Sequence, residues 1–161
     1  MLYLFAFLIG VSAGLRSFSA PAVVCWAARL GWLKLSGTAL SFLGAAATPW
    51  ILTAAACFEL VADQSRWIPS RKSAPSFTGR IASALLCGLA LGASGGVAGA
   101  VGIAVAGLAA AVGAVVGTLG GYECRGRLTR AAGGRDFPIA VLEDAIGIGL
   151  AVWAAHSVGG P

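Results

Sequence analysis

Charge is what this sequence has least of. Lys, Arg, Asp and Glu make up 11% of the chain and hydrophobic residues 58%, whereas a soluble domain carries about 25% charged residues. With 161 residues the chain cannot cover a soluble surface with polar groups, which excludes a free-standing soluble domain and makes the lipid bilayer its first partner. Histidine is nearly absent: His156 stands alone, at the edge of the last apolar run. The four cysteines, Cys25, Cys57, Cys87 and Cys124, form no C-x-x-C pair and read as small buried hydrophobes rather than metal or redox ligands. There is no H-E-x-x-H and no P-loop, so neither an enzyme nor a cofactor or metal site is expected. No basic stripe with interleaved aromatics occurs, so the net charge of +5 points to basic cytoplasmic loops and not to a nucleic-acid partner. Val11-Ser12-Ala13 resembles a small-residue cleavage site, but the first fifteen residues hold no Lys or Arg. A signal peptide needs that charge, so the first apolar segment is expected to stay.

What is present is long apolar sequence. One helical span needs about 20 apolar residues, which leaves room for about five, and continuous runs rich in Ala and Gly favour helices over a barrel. Residues 2–15 and 22–33 are each short for a span and together too long for one. A broken first helix fits, with Ser19 as cap of the second piece and Pro21 in its first turn. Residues 38–47 either dip into the membrane or lie on it. Thr48-Pro49 starts a helix running to about Asp63, and residues 64–80, with Arg66, Arg71, Lys72, Arg80 and two prolines, read as a loop. The tract 81–119 holds two antiparallel spans with a turn at Ser94-Gly95-Gly96. A second basic loop, 123–135, leads to a final helix capped by Asp136, with Pro138 in its first turn, ending near Ala155.

Two spans separate the basic loops 64–80 and 123–135, so they share a side, and the positive-inside rule makes that side cytoplasmic. The C-terminus is then outside, and the N-terminus inside if the first broken helix crosses once. A faint repeat pairs the helix bearing Arg16 and its Pro-started successor with the helix ending at Arg125 and Arg127 and its own; an inverted repeat of this kind would run the two pairs in opposite directions. Gly10/Gly14, Gly88/Gly92/Gly96 and Gly113/Gly117/Gly121 share G-x-x-x-G spacing, read as tight packing within one subunit.

Charges inside apolar runs carry the functional expectation, since each costs roughly 2.5–3.5 kcal/mol in lipid if unpaired. Arg16 lies mid-run; Glu59 and Asp63 are one turn apart on one helical face; Glu143 and Asp144, being adjacent, point about 100° apart. Arg16 is expected to share a polar cluster with Glu59, with Glu143 or Asp144 nearby. As four acids outnumber one clearly intramembrane Arg, surplus carboxylate points to a solute or ion site and not only a strut. Arg16, Ser17, Ser19, Glu59, Asp63, Glu143 and Asp144 are its candidate residues.

The stretches Gly14-Leu15-Arg16-Ser17 with Ala20-Pro21, Glu59-Leu60-Val61-Ala62-Asp63 with Pro69-Ser70-Arg71, and Leu142-Glu143-Asp144-Ala145 with Gly149-Leu150-Ala151 together resemble a family of small bacterial multi-span membrane proteins known only as a domain of unknown function. The resemblance covers nearly the whole chain. It departs after Asp63, where Lys-Leu-Pro is expected and Gln64-Ser65-Arg66 stands. It implies a multi-span protein of the bacterial inner membrane and supplies no activity. The reading is therefore one all-α transmembrane domain over 1–161, with broken or re-entrant helices near Arg16 and Thr48-Pro49. It is expected to act as a transporter or channel for a small solute or ion, as a homo-oligomer. A non-transporting assembly partner or a protein that handles lipid headgroups is the alternative.

Overall fold

A computed structural model describes residues 1–62, 74–97, 99–131, 133 and 136–160, with the backbone alone at 62, 74 and 136. Among these residues lie α1 (Leu2–Leu15), α2 (Ser19–Arg29), α3 (Thr48–Ala62), α4 (Ala74–Ser94), α5 (Gly99–Ala131) and α6 (Asp136–Gly159), with a short 3-10 turn at Ser41–Gly44 and no strand. Three are long and apolar enough to cross a membrane: Pro75–Ser94, Gly99–Ala131 and Phe137–Gly159. The protein is thus all-α, with the build of a membrane protein.

The chain is broken where the sequence indicated. Arg16 is extended, at φ −141° and ψ 124°, and helix resumes at Ser19. Pro21 explains the break, because in a continuous helix its ring would clash with the carbonyl of Ser17 and its missing N–H would leave that carbonyl unpaired. Ser19 is not the cap, however. Phe18 holds that position and Ser19 is the first helical residue, with no side-chain cap bond; the capping is done by an acid from another helix.

The two halves do not cross in series either. Leu2 lies beside Gly95 and Val158, at the far ends of α4 and α6. Gly14 and Leu15 meet Arg80, near the start of α4. From there α2 runs back: the amide of Lys34 donates to Ser94 Oγ at 2.9 Å, and the Trp32 ring stands edge-on to His156, centroids 5.1 Å apart. α1 and α2 therefore form an antiparallel hairpin with its tip at Arg16–Phe18. The expected single crossing is overturned: the described N-terminal and C-terminal residues lie at one end of the bundle, the hairpin tip toward the other.

Glycine sets how closely α1 nests. A Cβ on Gly10 would fall on the carbonyl oxygen of Ala110, one on Gly113 on that of Phe7, and one on Gly117 on that of Val11. Only glycine permits backbones this near. Across the other face of α5, a Cβ on Gly88 would come within 2.6 Å of the Ala106 carbonyl. The G-x-x-x-G spacings thus seal contacts within one chain. The same contacts show α1 and α5 running in the same direction, contrary to the opposite run expected of a repeat.

Both expected basic loops are partly helix. Residues 74–80 form the first turns of α4, where Pro75 is tolerated because the first-turn amides need no helical partner. α5 runs on through Glu123, Arg125, Arg127 and Arg130 to Ala131; Arg and Leu are strong helix formers, and Arg127 Nη2 and Glu123 Oε1, 3.2 Å apart, add an i,i+4 pair. The final helix likewise continues past Ala155 to Gly159.

Candidate functional site

A helix that stops inside an apolar bundle leaves carbonyls unpaired at its C-terminal end and amides at its N-terminal end. The hairpin tip has both, a few residues apart, and the bundle answers each with charge of the right sign. Arg80, buried in α4 at 4% exposure, donates from Nη1 to the Gly14 carbonyl at 2.5 Å and the Leu15 carbonyl at 2.8 Å. Thr118 of α5 donates its hydroxyl to the same Gly14 oxygen at 3.0 Å. On the other side of the break, Glu59 of α3 accepts the Ser17 amide on Oε1 at 2.9 Å and the Phe18 amide on Oε2 at 3.0 Å. A cation thus sits at the negative end of α1 and an anion at the positive end of α2, the pairing the helix dipole favours.

Between these caps lies Arg16 itself, 2% exposed. Its Nε donates to Asp144 Oδ1 of α6 at 2.5 Å. One helical turn earlier on α1, the Ser12 hydroxyl donates to the Gly147 carbonyl at 2.7 Å, fixing α1 against α6. Further from the tip, Trp26 Nε1 donates to Thr53 Oγ1 at 3.0 Å and the Trp26 and Trp50 rings stack edge-on with centroids 5.0 Å apart, which aligns α3 along α2 and brings Glu59 to the tip.

The candidate residues sort as follows. Arg16, the Ser17 amide, Glu59 and Asp144 converge on the tip. Ser19 is buried at 5% exposure beside it. Glu143 goes elsewhere: it lies 3.5 Å from Arg125 of α5, as the divergence of adjacent helical positions requires. Asp63 lies outside the described residues. Arg80, Thr118 and Arg125 were missed. The signal for Arg80 was helix propensity resuming after Pro75; for Thr118 it was a lone hydroxyl in a Gly-Ala-Val run.

The count of charges also changes. Glu59, Glu123, Glu143 and Asp144, the acids with described side chains, each meet an arginine or backbone amides. Arg80 is buried in the bundle too, so Arg16 is not the single intramembrane arginine expected; Asp63, the fourth acid of that expectation, lies outside the described residues. Among the described residues no group of three or more His, Cys, Asp or Glu is arranged to hold a metal ion. In comparison with known proteins, no family model, no curated protein and no solved structure matches the chain.

Proposed function

We propose that the protein is a small integral membrane transporter or channel in which the hairpin α1–α2 is re-entrant and its charged tip is the solute or ion site. At about 1.5 Å per residue, α1 and α2 reach only ~21 and ~17 Å, against ~30 Å of hydrocarbon. A hairpin of that depth enters the bilayer from one side and turns back within it. α3, with 15 residues, lines the tip together with α4, α5 and α6.

The observation that carries this reading is the pair of half-helix ends at Arg16–Phe18, ringed by Arg16, Glu59, Arg80 and Asp144. Discontinuous helices whose ends face each other near mid-membrane are how transporters offer backbone dipoles to a solute without lipid contact. Asp63, four positions after Glu59 in sequence, joins the candidate set. The reading uses no internal repeat. The resemblance to a family of small bacterial membrane proteins stays a proposal with it, as do the inner-membrane location, the cytoplasmic side of the basic segments and the assembly of several copies. The test is flux into proteoliposomes across a panel of monovalent ions, protons and small anions, comparing the native chain with Glu59→Gln and Asp144→Asn. Flux in the native chain that both variants lose, with unchanged melting, supports the site; no flux from the native chain for any member overturns it.

One observation favours a second reading, in which the protein is a non-transporting partner of another membrane protein: every acid with a described side chain is already matched. A strut needs such matching and a site does not. Under this reading the same variants melt earlier and alter no flux.

A further inference from the structure

A crevice of about 310 Å³ opens between α1, α5 and α6. Its cause lies in the sequence: α5 lines it with Gly117, Gly120 and Gly121, whose missing side chains leave the space open. A Cβ added to Gly120 would meet nothing within 4 Å. Val11, Leu15, Val116, Leu128 and Ile146 form the apolar wall, and the charged lining residues are Arg125 and Glu143. The Leu128 end of the crevice points toward the last turns of α5, which carry Arg125, Arg127 and Arg130 within six residues.

We propose that this crevice is a binding site for one anionic phospholipid, its acyl chain between α5 and α6 and its phosphodiester against Arg125. Two features of the crevice select that occupant. An apolar channel flanked by exposed Leu142 and Ile146 opens where the bilayer supplies acyl chains, and each CH₂ buried there contributes about 0.8 kcal/mol. The cluster of three arginines stands at one end of it, where basic residues attract anionic headgroups; a neutral apolar ligand would gain nothing from them. Glu143, beside Arg125, orients the guanidinium and does not compete for the phosphate, which approaches from the arginine-rich end. Since Val11 and Leu15 also form the last turns of α1, a seated chain presses on the arm that carries Arg16, so lipid occupancy bears on the hairpin. The site does not depend on the hairpin being a transport site.

The test is native mass spectrometry of the full chain, delipidated in mild detergent and titrated with phosphatidylglycerol or phosphatidylethanolamine. The expected result is one tightly retained phosphatidylglycerol per chain, preferred over phosphatidylethanolamine. Gly120→Leu puts a side chain where an added Cβ meets nothing within 4 Å and is expected to weaken that binding by more than about ten-fold, because a displaced chain loses several buried methylenes. Arg125→Gln is expected to weaken it about five-fold, the share of one basic residue at an anionic headgroup, whereas Arg29→Gln, exposed at the end of α2 away from the arginine cluster, leaves it within about two-fold. Thermal melting of each variant separates lost binding from lost fold. Equal retention by the native chain and a folded Gly120→Leu overturns the proposal, as does equal affinity for the two lipids.

Discussion

Arg80 and Gly14 stand 66 positions apart in sequence, yet the guanidinium of one donates to the carbonyl of the other at 2.5 Å. That bond ties the first turns of α4 to the last turn of α1, and the same nitrogen also serves Leu15. A lysine offers a point charge without the planar fork, and a methionine offers neither. Arg80→Met is expected to leave the Leu15 carbonyl without this donor, at about 1–3 kcal/mol, while Thr118 still serves Gly14, and Arg80→Lys to recover part of the loss. Melting of the purified protein in detergent checks this; an unchanged midpoint in Arg80→Met would show that the hairpin tip needs no cation from α4.

Glycine packing gives a pair of opposed expectations. Gly113 has no room for a methyl, as its Cβ would fall on the Phe7 carbonyl, while Gly126 meets nothing within 4 Å. Gly113→Ala is expected to force α1 and α5 apart and destabilise by about 1–3 kcal/mol, the usual cost of overpacking. Gly126→Ala lies in an exposed helical turn and is expected to stabilise by about 0.5–1 kcal/mol, since alanine loses less backbone freedom. The check is the difference in melting midpoint between the two variants, whose sign should be opposite relative to the native chain.

The break at Arg16, the turn at Ser94-Gly95-Gly96 and the helix starts at Thr48 and Asp136 were legible in the sequence because proline and glycine act locally. Their steric effects require no knowledge of neighbours. The convergence of Arg16, Glu59 and Asp144 was legible in outline, since a charge in an apolar run must find a partner. What the sequence hid was direction. Whether α2 continues α1 or folds back on it depends on whether α2 packs against α3 and α6, a tertiary matter with no local signature. Arg80 was hidden for a related reason: clustered with Arg71 and Lys72 it looks like loop, and the two α1 carbonyls opposite it, which favour a buried arginine, are tertiary neighbours. Arg125 was hidden likewise, as an arginine assigned to a loop that proved to be helical and to face Glu143.

The hairpin makes a topological statement that a single crossing would not. Ser36, after α2, lies at the end of the bundle where α4 and α6 finish, and Arg130 lies near the end of α5, at the opposite end. The cluster of basic residues at the Arg130 end is expected to be cytoplasmic by the positive-inside rule. In a cysteine-free background, Ser36→Cys should react with an impermeant maleimide in intact cells and Arg130→Cys only after the membrane is opened. A tag ahead of Met1 should share the compartment of one after Pro161. Reaction of both cysteines from one side would refute the arrangement.

The ion pair at the tip separates strut from site. Arg16→Met leaves Asp144 in a largely enclosed position without this guanidinium, and breaking such a pair costs about 3–5 kcal/mol. Asp144→Leu alone removes the carboxylate that accepts from Arg16 Nε and is expected to lower the midpoint as well. The double replacement removes both charges together, and apolar residues in place of a buried pair are often neutral or stabilising. It should therefore melt near the native midpoint while each single variant melts well below it. Flux measured on the same preparations then decides the role. A refolded double variant that has lost the native flux assigns Arg16 and Asp144 to the site, because the packing they provided has been restored and only their charge is gone. A double variant that melts normally and still carries the native flux leaves the pair as a strut. The solute would then have to be sought at Glu59 and the amides of Ser17 and Phe18, whose contacts do not pass through Asp144.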